Sequence, residues 1–154
     1  MESDGGYLSF EKFKDIMQRM DFISRITFGG LAEPLMNPDF FKMIDFCDKN
    51  DIMVDFTTNA MLLDEEKSRK IISSKSIENM AFSFDSFNPT IYGKIRVGAS
   101  YDIVKRNIER FSELRKGNYP TINVGIVGMR MNIKELKDVI LFAQRIGAKT
   151  VGIG

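Results

Sequence analysis

Apolar residues follow two alternating patterns along this chain, a helical spacing and short continuous runs. Spacings of three and four, which place side chains on one helix face, mark five segments preceded by polar residues suited to cap them. The expected caps are Ser9, Asn37, Asp64, Ser100 and Asn132, the last with Glu135 as a capping box. Apolar runs predict five strands, at residues 23–28, 52–57, 77–84, 121–127 and 149–154. Residues 87–99 are expected to form a loop.

Strict alternation of helices and strands predicts an α/β fold in which helical crossovers connect parallel strands with right-handed connections. The chain begins with a helix that has no strand before it and finishes within a strand. We therefore expect residues 1–154 to form a single domain that is part of a TIM-like (β/α) barrel. The barrel would lack its first strand and be truncated in its last.

Composition narrows the classes of function. The 154 residues are 44% apolar and 28% charged, with a net charge of +1. Such a charge gives no basic surface for nucleic acid or an anionic membrane, so neither is an expected partner. No apolar run could span a bilayer, and the amino terminus lacks a signal-peptide pattern. A single cysteine suits a reducing compartment, and we expect the protein to be cytoplasmic.

The chain contains no histidine and only one cysteine, Cys47. The absence of histidine removes the usual general base and the commonest metal ligand. One thiol cannot hold a zinc ion or an iron–sulfur cluster, both of which need several ligands. Because Cys47 falls on the apolar face of a predicted helix, we expect an inert core thiol. The sequence therefore predicts no metal ligand and no catalytic residue within this chain.

Glycines and polar residues follow the ends of the first three predicted strands. They are, in chain order, Gly29, Gly30, Glu33, Thr58, Asn59, Ser83 and Asp85, with Arg96 in the loop behind the third strand. Taken singly, each has an ordinary structural interpretation as a turn former, a cap or a surface ion pair. In a parallel barrel, however, all of them would converge on one rim, where ligands bind. Glycines allow close backbone approach, and the charged groups suit a small zwitterionic ligand with a hydroxylated part.

Several of these segments resemble the motifs of radical S-adenosylmethionine (radical SAM) enzymes. Residues 29–35, GGLAEPL, resemble the family's Gly-Gly-Glu-Pro segment, and Thr58-Asn59 resembles its Thr-Asn-Gly segment. Ser83-Phe84-Asp85 and the following 92–98, YGKIRVG, match its S-x-D…Y-x-x-I-R-x-G signature. Residues 132–136, NIKEL, resemble its N-x-x-E-L helix start. The set is most similar to the SPASM branch, whose members often modify peptides.

The resemblance implies roles for the rim residues. Gly29, Gly30 and Glu33 would meet the methionine amino group of the cofactor. Ser83 would contact its ribose or carboxylate, and Arg96 its carboxylate. Supporting or substrate-side roles are implied for two others, Asn59 and Asp85. In this family a [4Fe–4S] cluster cleaves the cofactor reductively, and the resulting adenosyl radical abstracts hydrogen from a substrate, in an oxidoreductase or transferase reaction.

The chain also departs from the family pattern. Ala60 occupies the place of a motif glycine, and Leu31-Ala32 is inserted before Glu33. The family's Cys-x₃-Cys-x₂-Cys cluster loop is missing. We therefore expect a fragment of a parent enzyme that uses S-adenosylmethionine and a [4Fe–4S] cluster, inactive by itself.

Two alternatives to a radical enzyme fragment remain, and they differ from it in class. One is a noncatalytic nucleotide- or phosphate-binding α/β module, although no Gly-x-Gly-x-x-Gly or phosphate loop follows a strand. The other is an interaction domain that has lost its cofactor. The expected partners are the cofactor and an unidentified substrate, for which a peptide is one candidate. Unpaired strand edges also predict a homo-oligomer.

Overall fold

A computed structural model describes residues 6–20, 22–30 and 32–154. One of the two inserted residues, Leu31, lies outside the described residues. The helices are α1 (Phe10–Gln18), α2 (Phe40–Lys49), α3 (Glu65–Ser73), α4 (Pro89–Ile95), α5 (Tyr101–Leu114) and α6 (Leu136–Arg145). The strands are β1 (Arg25–Phe28), β2 (Met53–Thr58), β3 (Ile77–Ser83), β4 (Thr121–Ile126) and β5 (Thr150–Ile153). Short 3₁₀ turns cover Pro34–Met36 and Ile133–Glu135.

All four strand pairings are parallel, and the strands lie side by side in chain order from β1 to β5. This arrangement confirms the predicted α/β partial barrel. No helix within the described parts of the chain is long and apolar enough to cross a membrane.

Strand residues alternate between a buried apolar face and a more open one. Val54, Phe56, Met80 and Phe82 are buried among the apolar residues of the core. Their neighbours along the strands, except Met53, are small or polar, as expected when alternate side chains point to opposite faces of a sheet. The register aligns Ser83 with Gly125 and Gly125 with Gly152 at the carboxyl ends of β3, β4 and β5. Because these three residues have small side chains or none, the sheet surface next to them is open.

Three of the predicted caps are confirmed, and the prediction that residues 87–99 form a loop is wrong. Ser9, Asp64 and Ser100 each accept a hydrogen bond from a backbone N–H in the first turn of α1, α3 and α5. Within the expected loop 87–99, however, Asn88 caps α4 and accepts from two backbone N–H groups of its first turn. Pro89 at the first helical position is also typical of a helix start, so the sequence did contain a signal for this helix.

The prediction that Asn37 caps the second helix is also wrong. The α2 helix begins at Phe40, with Asp39 in the cap position. The Asn37 side chain instead accepts from Asp39 N at 2.9 Å and donates to Leu8 O at 2.9 Å. Asn37 thus joins the turn before α2 to the segment before α1.

Candidate functional site

A small cleft of about 90 Å³ opens at the carboxyl ends of β1, β2 and β3. Its lining residues come from three strand ends and from the segment after α4: Gly30, Ala32, Glu33, Thr57, Thr58, Asn59, Ser83 and Arg96. Parallel strands bring these segments together although they are far apart in sequence. Five of the seven residues predicted for the site therefore lie at one cleft. Of the other two, Gly29 precedes Gly30 in the same loop, and Asp85 is buried beside Arg96.

A larger cleft of about 370 Å³ adjoins the small one and shares Ser83 and Arg96 with it. The rest of its lining comes from the ends of β4 and β5: Gly125, Ile126, Val127, Gly152, Ile153 and Gly154. A Cβ added at Gly152 would meet no atom within 4 Å, so the space next to this residue is open. The sequence predictions did not include Gly125 and Gly152. Glycine inside a strand was the available signal, because it often marks close approach of a ligand.

Arg96 lies between the two clefts and is fixed by a buried acid. Its Nε donates to the carboxylate of Asp85, and the other carboxylate oxygen accepts from Val127 N at 2.7 Å. The Asp85 side chain is fully buried, whereas that of Arg96 is 30% exposed. Within the described part of the chain, the terminal Nη groups of Arg96 make no hydrogen bond. The Asp85 carboxylate therefore orients the guanidinium and leaves its outer donors for a ligand.

Glu33 fastens the loop after β1 to the loop after β2. Its carboxylate accepts from Thr58 Oγ1 at 2.7 Å, from Asn59 N at 2.7 Å and from Leu35 N at 3.2 Å. An ionised carboxylate offers about four acceptor positions, so one remains for a further donor. The Asn59 side chain accepts from Met61 N at 2.9 Å and thereby shapes its own turn.

Ala60, in the motif position of a glycine, has a left-handed backbone with φ of 58°. This conformation is unfavourable for residues with a Cβ and free of that cost for glycine. The Asn107 side chain donates to Ala60 O at 2.8 Å and holds the turn in place. Backbone geometry therefore favours a glycine at this position of the chain, which adopts that geometry with an alanine.

The predicted capping box of Asn132 and Glu135 is wrong, because both side chains reach into another loop. Glu135 accepts from Ser86 Oγ and, at 3.1 Å each, from the backbone N–H groups of Phe87 and Asn88. Asn132 donates through Nδ2 to the carbonyls of Asp85 and Val127, both at 2.8 Å. These two side chains hold the segment that carries Asp85. Sequence spacing alone could not show this, since the partners in the other loop, Asp85 to Asn88, are more than forty residues away.

Two buried titratable groups are inert at neutral pH. Burial raises the pKa of the Cys47 thiol to about 12, with a smaller contribution from Asp48. Burial also raises the pKa of the Tyr92 hydroxyl to about 12, and that hydroxyl has no hydrogen-bond partner among the described residues. The prediction of an inert core thiol is confirmed. No cluster of three or more residues suited to bind a metal was found within the described ranges.

Comparison with known proteins places this geometry in a family. The model of the radical SAM superfamily matches residues 1–143. The mycofactocin maturase MftC of Mycobacterium tuberculosis (strain CDC 1551 / Oshkosh) is 24% identical over 147 residues, which cover 94% of this chain and 36% of MftC. A tungsten-containing aldehyde ferredoxin oxidoreductase cofactor-modifying protein of Pyrococcus furiosus is 25% identical over 150 residues, 95% of this chain and 42% of that protein.

The fold is also that of a solved structure, Streptococcus suis SuiB bound to S-adenosylmethionine. The TM-score is 0.81 at 16% identity, over 99% of this chain and 35% of SuiB. This chain therefore spans only about a third to two fifths of the length of these relatives. Together with the match over residues 1–143, these similarities agree with the motifs in the sequence, and the chain belongs to the radical SAM superfamily.

Proposed function

We propose that this chain binds S-adenosylmethionine across the two clefts, as the cofactor-holding part of a radical SAM enzyme. The observation that carries the proposal is the place of Ser83 and Arg96, which line both clefts. A ligand spanning the clefts has to pass these two side chains. S-adenosylmethionine is such a ligand, because a charged amino-acid part is joined to a nucleoside.

The small cleft fits the methionine part. The outer donors of Arg96 are suited to its carboxylate, since a guanidinium binds a carboxylate with charge-assisted hydrogen bonds. Gly29 and Gly30 would have no atom within 4 Å of an added Cβ, so the backbone there is open to close approach by the amino group. The remaining acceptor position of Glu33 is suited to the same ammonium.

The larger cleft fits the nucleoside part. Its lining combines two glycines, Gly125 and Gly152, with the apolar residues Ile126 and Ile153. A flat base packs well against such a surface, and Ser83 can hydrogen-bond a ribose hydroxyl. Asp85, Asn132 and Glu135 would position Arg96 and its segment without touching the ligand. In a complete enzyme with a [4Fe–4S] cluster, the bound S-adenosylmethionine would supply the hydrogen-abstracting chemistry of this superfamily.

A four-iron cluster does not fit the residues of this chain. Cluster binding requires several thiolates, and the sequence contains one cysteine, whose thiol is buried and protonated. We therefore propose that a Cys-x₃-Cys-x₂-Cys loop outside the printed sequence provides the ligands in the parent enzyme. The chain by itself would then be inactive and free of iron after reconstitution. Its edge strands β1 and β5 remain the predicted sites of self-association.

A peptide is the substrate class that we propose for the parent enzyme. One relative is a maturase, and SuiB has been solved with its precursor peptide SuiA, with a TM-score of 0.81 to this chain. The cofactor-modifying relative from Pyrococcus furiosus favours a second substrate class, a cofactor.

The test is calorimetric binding of S-adenosylmethionine and of adenosine to the purified chain. Arg96→Met should weaken binding of S-adenosylmethionine about tenfold or more, because one charge-assisted contact is lost. It should weaken adenosine binding much less, because adenosine has no carboxylate. Arg19→Met, which alters the exposed residue directly after α1, is the matched control.

A second variant probes the larger cleft without removing a charge. Gly152→Val should abolish binding of both ligands, because its side chain would fill open space. If Arg96→Met bound S-adenosylmethionine like the wild type, the proposal would be wrong. Tighter binding of ATP than of S-adenosylmethionine would favour the nucleotide-binding module instead.

A further inference from the structure

Arg115, the residue after α5, is a buried cation at the end of the sheet opposite to the two clefts. Only 9% of its surface is exposed. Its Nη1 donates to Pro120 O at 3.0 Å and its Nη2 to Gly147 O at 3.2 Å. Both acceptors are neutral carbonyls, and the buried Nε has no partner among the described residues. The guanidinium therefore joins two loops while keeping its full charge.

No carboxylate among residues 6–20, 22–30 and 32–154 balances this charge. Arg115 forms no ion pair within the described part of the chain, whereas Arg96 pairs with Asp85. Burial alone lowers the pKa of Arg115, with no contribution from an acid. Arginine is rarely buried without an anionic partner, because the desolvation of a charge is costly. This part of the protein thus carries an uncompensated positive charge.

A cavity of about 360 Å³ lies against Arg115, at the amino-terminal ends of β4 and β5. Its lining contains two cations, further hydrogen-bond donors and no acid: Arg115, Asn118, Thr121, Ile122, Gly147 and Lys149. Lys149 is anchored through its backbone N, which donates to Ile122 O at 2.8 Å. The cavity is separated from the clefts by the length of β4, about 17 Å. It is therefore a separate site.

We propose that this cavity binds a phosphate-class oxyanion between Arg115 and Lys149. Two cations without an acid suit a dianion better than a monoanionic carboxylate. Asn118 and Thr121 add neutral hydrogen-bond donors of the kind that fix a tetrahedral oxyanion. The bound anion would offset the desolvation of Arg115. This inference is independent of S-adenosylmethionine binding at the other end of the strands.

The test measures binding of inorganic phosphate to the chain by calorimetry, in chloride buffer of constant ionic strength. We expect saturable binding with one site per chain, and weaker binding of acetate, which carries a single charge. Lys149→Met should weaken phosphate binding about tenfold, the usual effect of losing one charged contact. Lys116→Met is the matched control, because Lys116 is exposed in the connection after α5 that also carries Asn118 but does not line the cavity.

Thermal unfolding provides a second measurement that does not depend on a binding heat. Phosphate stabilises most proteins weakly through surface exclusion, and that effect neither saturates nor depends on one lysine. A saturable rise of the melting temperature in the wild type and in Lys116→Met, but not in Lys149→Met, would support the site. Equal responses of all three proteins, or equal binding of phosphate and acetate, would overturn the proposal.

Discussion

Arg96 and Arg115 lie near opposite ends of the parallel strands, and they differ in whether a carboxylate compensates their charge. Arg96 is paired with a fully buried carboxylate and is 30% exposed. Arg115 is more deeply buried, and its hydrogen bonds go to neutral carbonyls. At the carboxyl ends of the strands the protein provides both the cation and its carboxylate, and the oriented guanidinium presents donors to the solvent. At the amino ends of the strands it provides only the cation.

This difference shows that an arginine near a cleft can serve two purposes. A paired arginine such as Arg96 is already oriented, so a ligand need not supply the energy to order it. Its affinity for a ligand carboxylate is reduced by the charge of Asp85. An unpaired arginine such as Arg115 attracts an anion more strongly, because no competing acid is near. The variants below separate these two environments.

The largest effect is expected from Asp85→Ala. This change leaves the Arg96 guanidinium and the Val127 N–H without their acceptor. Removing one partner of a buried ion pair typically costs about 3–5 kcal/mol, and the partial exposure of Arg96 favours the lower end. Urea unfolding followed by circular dichroism measures the loss.

Asp15→Ala is the matched control, because Asp15 pairs with Arg19 on the exposed surface of α1. Exposed pairs of this kind contribute about 0.3–0.5 kcal/mol, so this variant should unfold almost like the wild type. Similar losses for both variants would mean that the Asp85–Arg96 pair is not the buried support that the structure shows.

Two features could be predicted from the sequence: the strands, and the convergence of the polar residues that follow them. Both depend on patterns of neighbouring residues. Apolar runs separated by helical spacings indicate parallel strands, and parallel strands bring residues such as Gly30, Asn59 and Ser83 to one edge. The contacts that hold those residues could not be predicted. Glu135 illustrates this, because its spacing from Asn132 indicated a cap while its carboxylate binds a distant loop.

Arg115 shows a second limit. In the sequence it is one of 22 basic residues, and nothing nearby distinguishes it from an exposed lysine or arginine. Its burial depends on Pro120 and Gly147, which come from two different connections. Whether a buried charge has a counter-charge depends on which residues surround it in the folded chain, and the sequence pattern does not give these neighbours.

A smaller effect is expected from Arg115→Met. The variant loses hydrogen bonds to Pro120 O and Gly147 O, each worth about 0.5–1.5 kcal/mol, but no longer buries a charge. We therefore expect a destabilisation of about 1–2 kcal/mol in phosphate-free buffer, measured by urea unfolding. A loss as large as that of Asp85→Ala would show that Arg115 has a charged partner after all.

The smallest effect is expected from Ala60→Gly. Ala60 has a φ of 58°, where a Cβ is disfavoured by roughly 1–2 kcal/mol. Glycine removes that cost but makes the unfolded chain more flexible, by about 0.4–1 kcal/mol, and gives up a fully buried methyl group, worth about 0.8 kcal/mol. The free energy of unfolding should therefore stay within about 0.5 kcal/mol of the wild type. Ala143→Gly, a buried helical site in α6, is the matched control and should lose about 1 kcal/mol. If both substitutions destabilised the protein equally, the left-handed turn after Asn59 would not be under strain, and the glycine of the family motif would need another explanation.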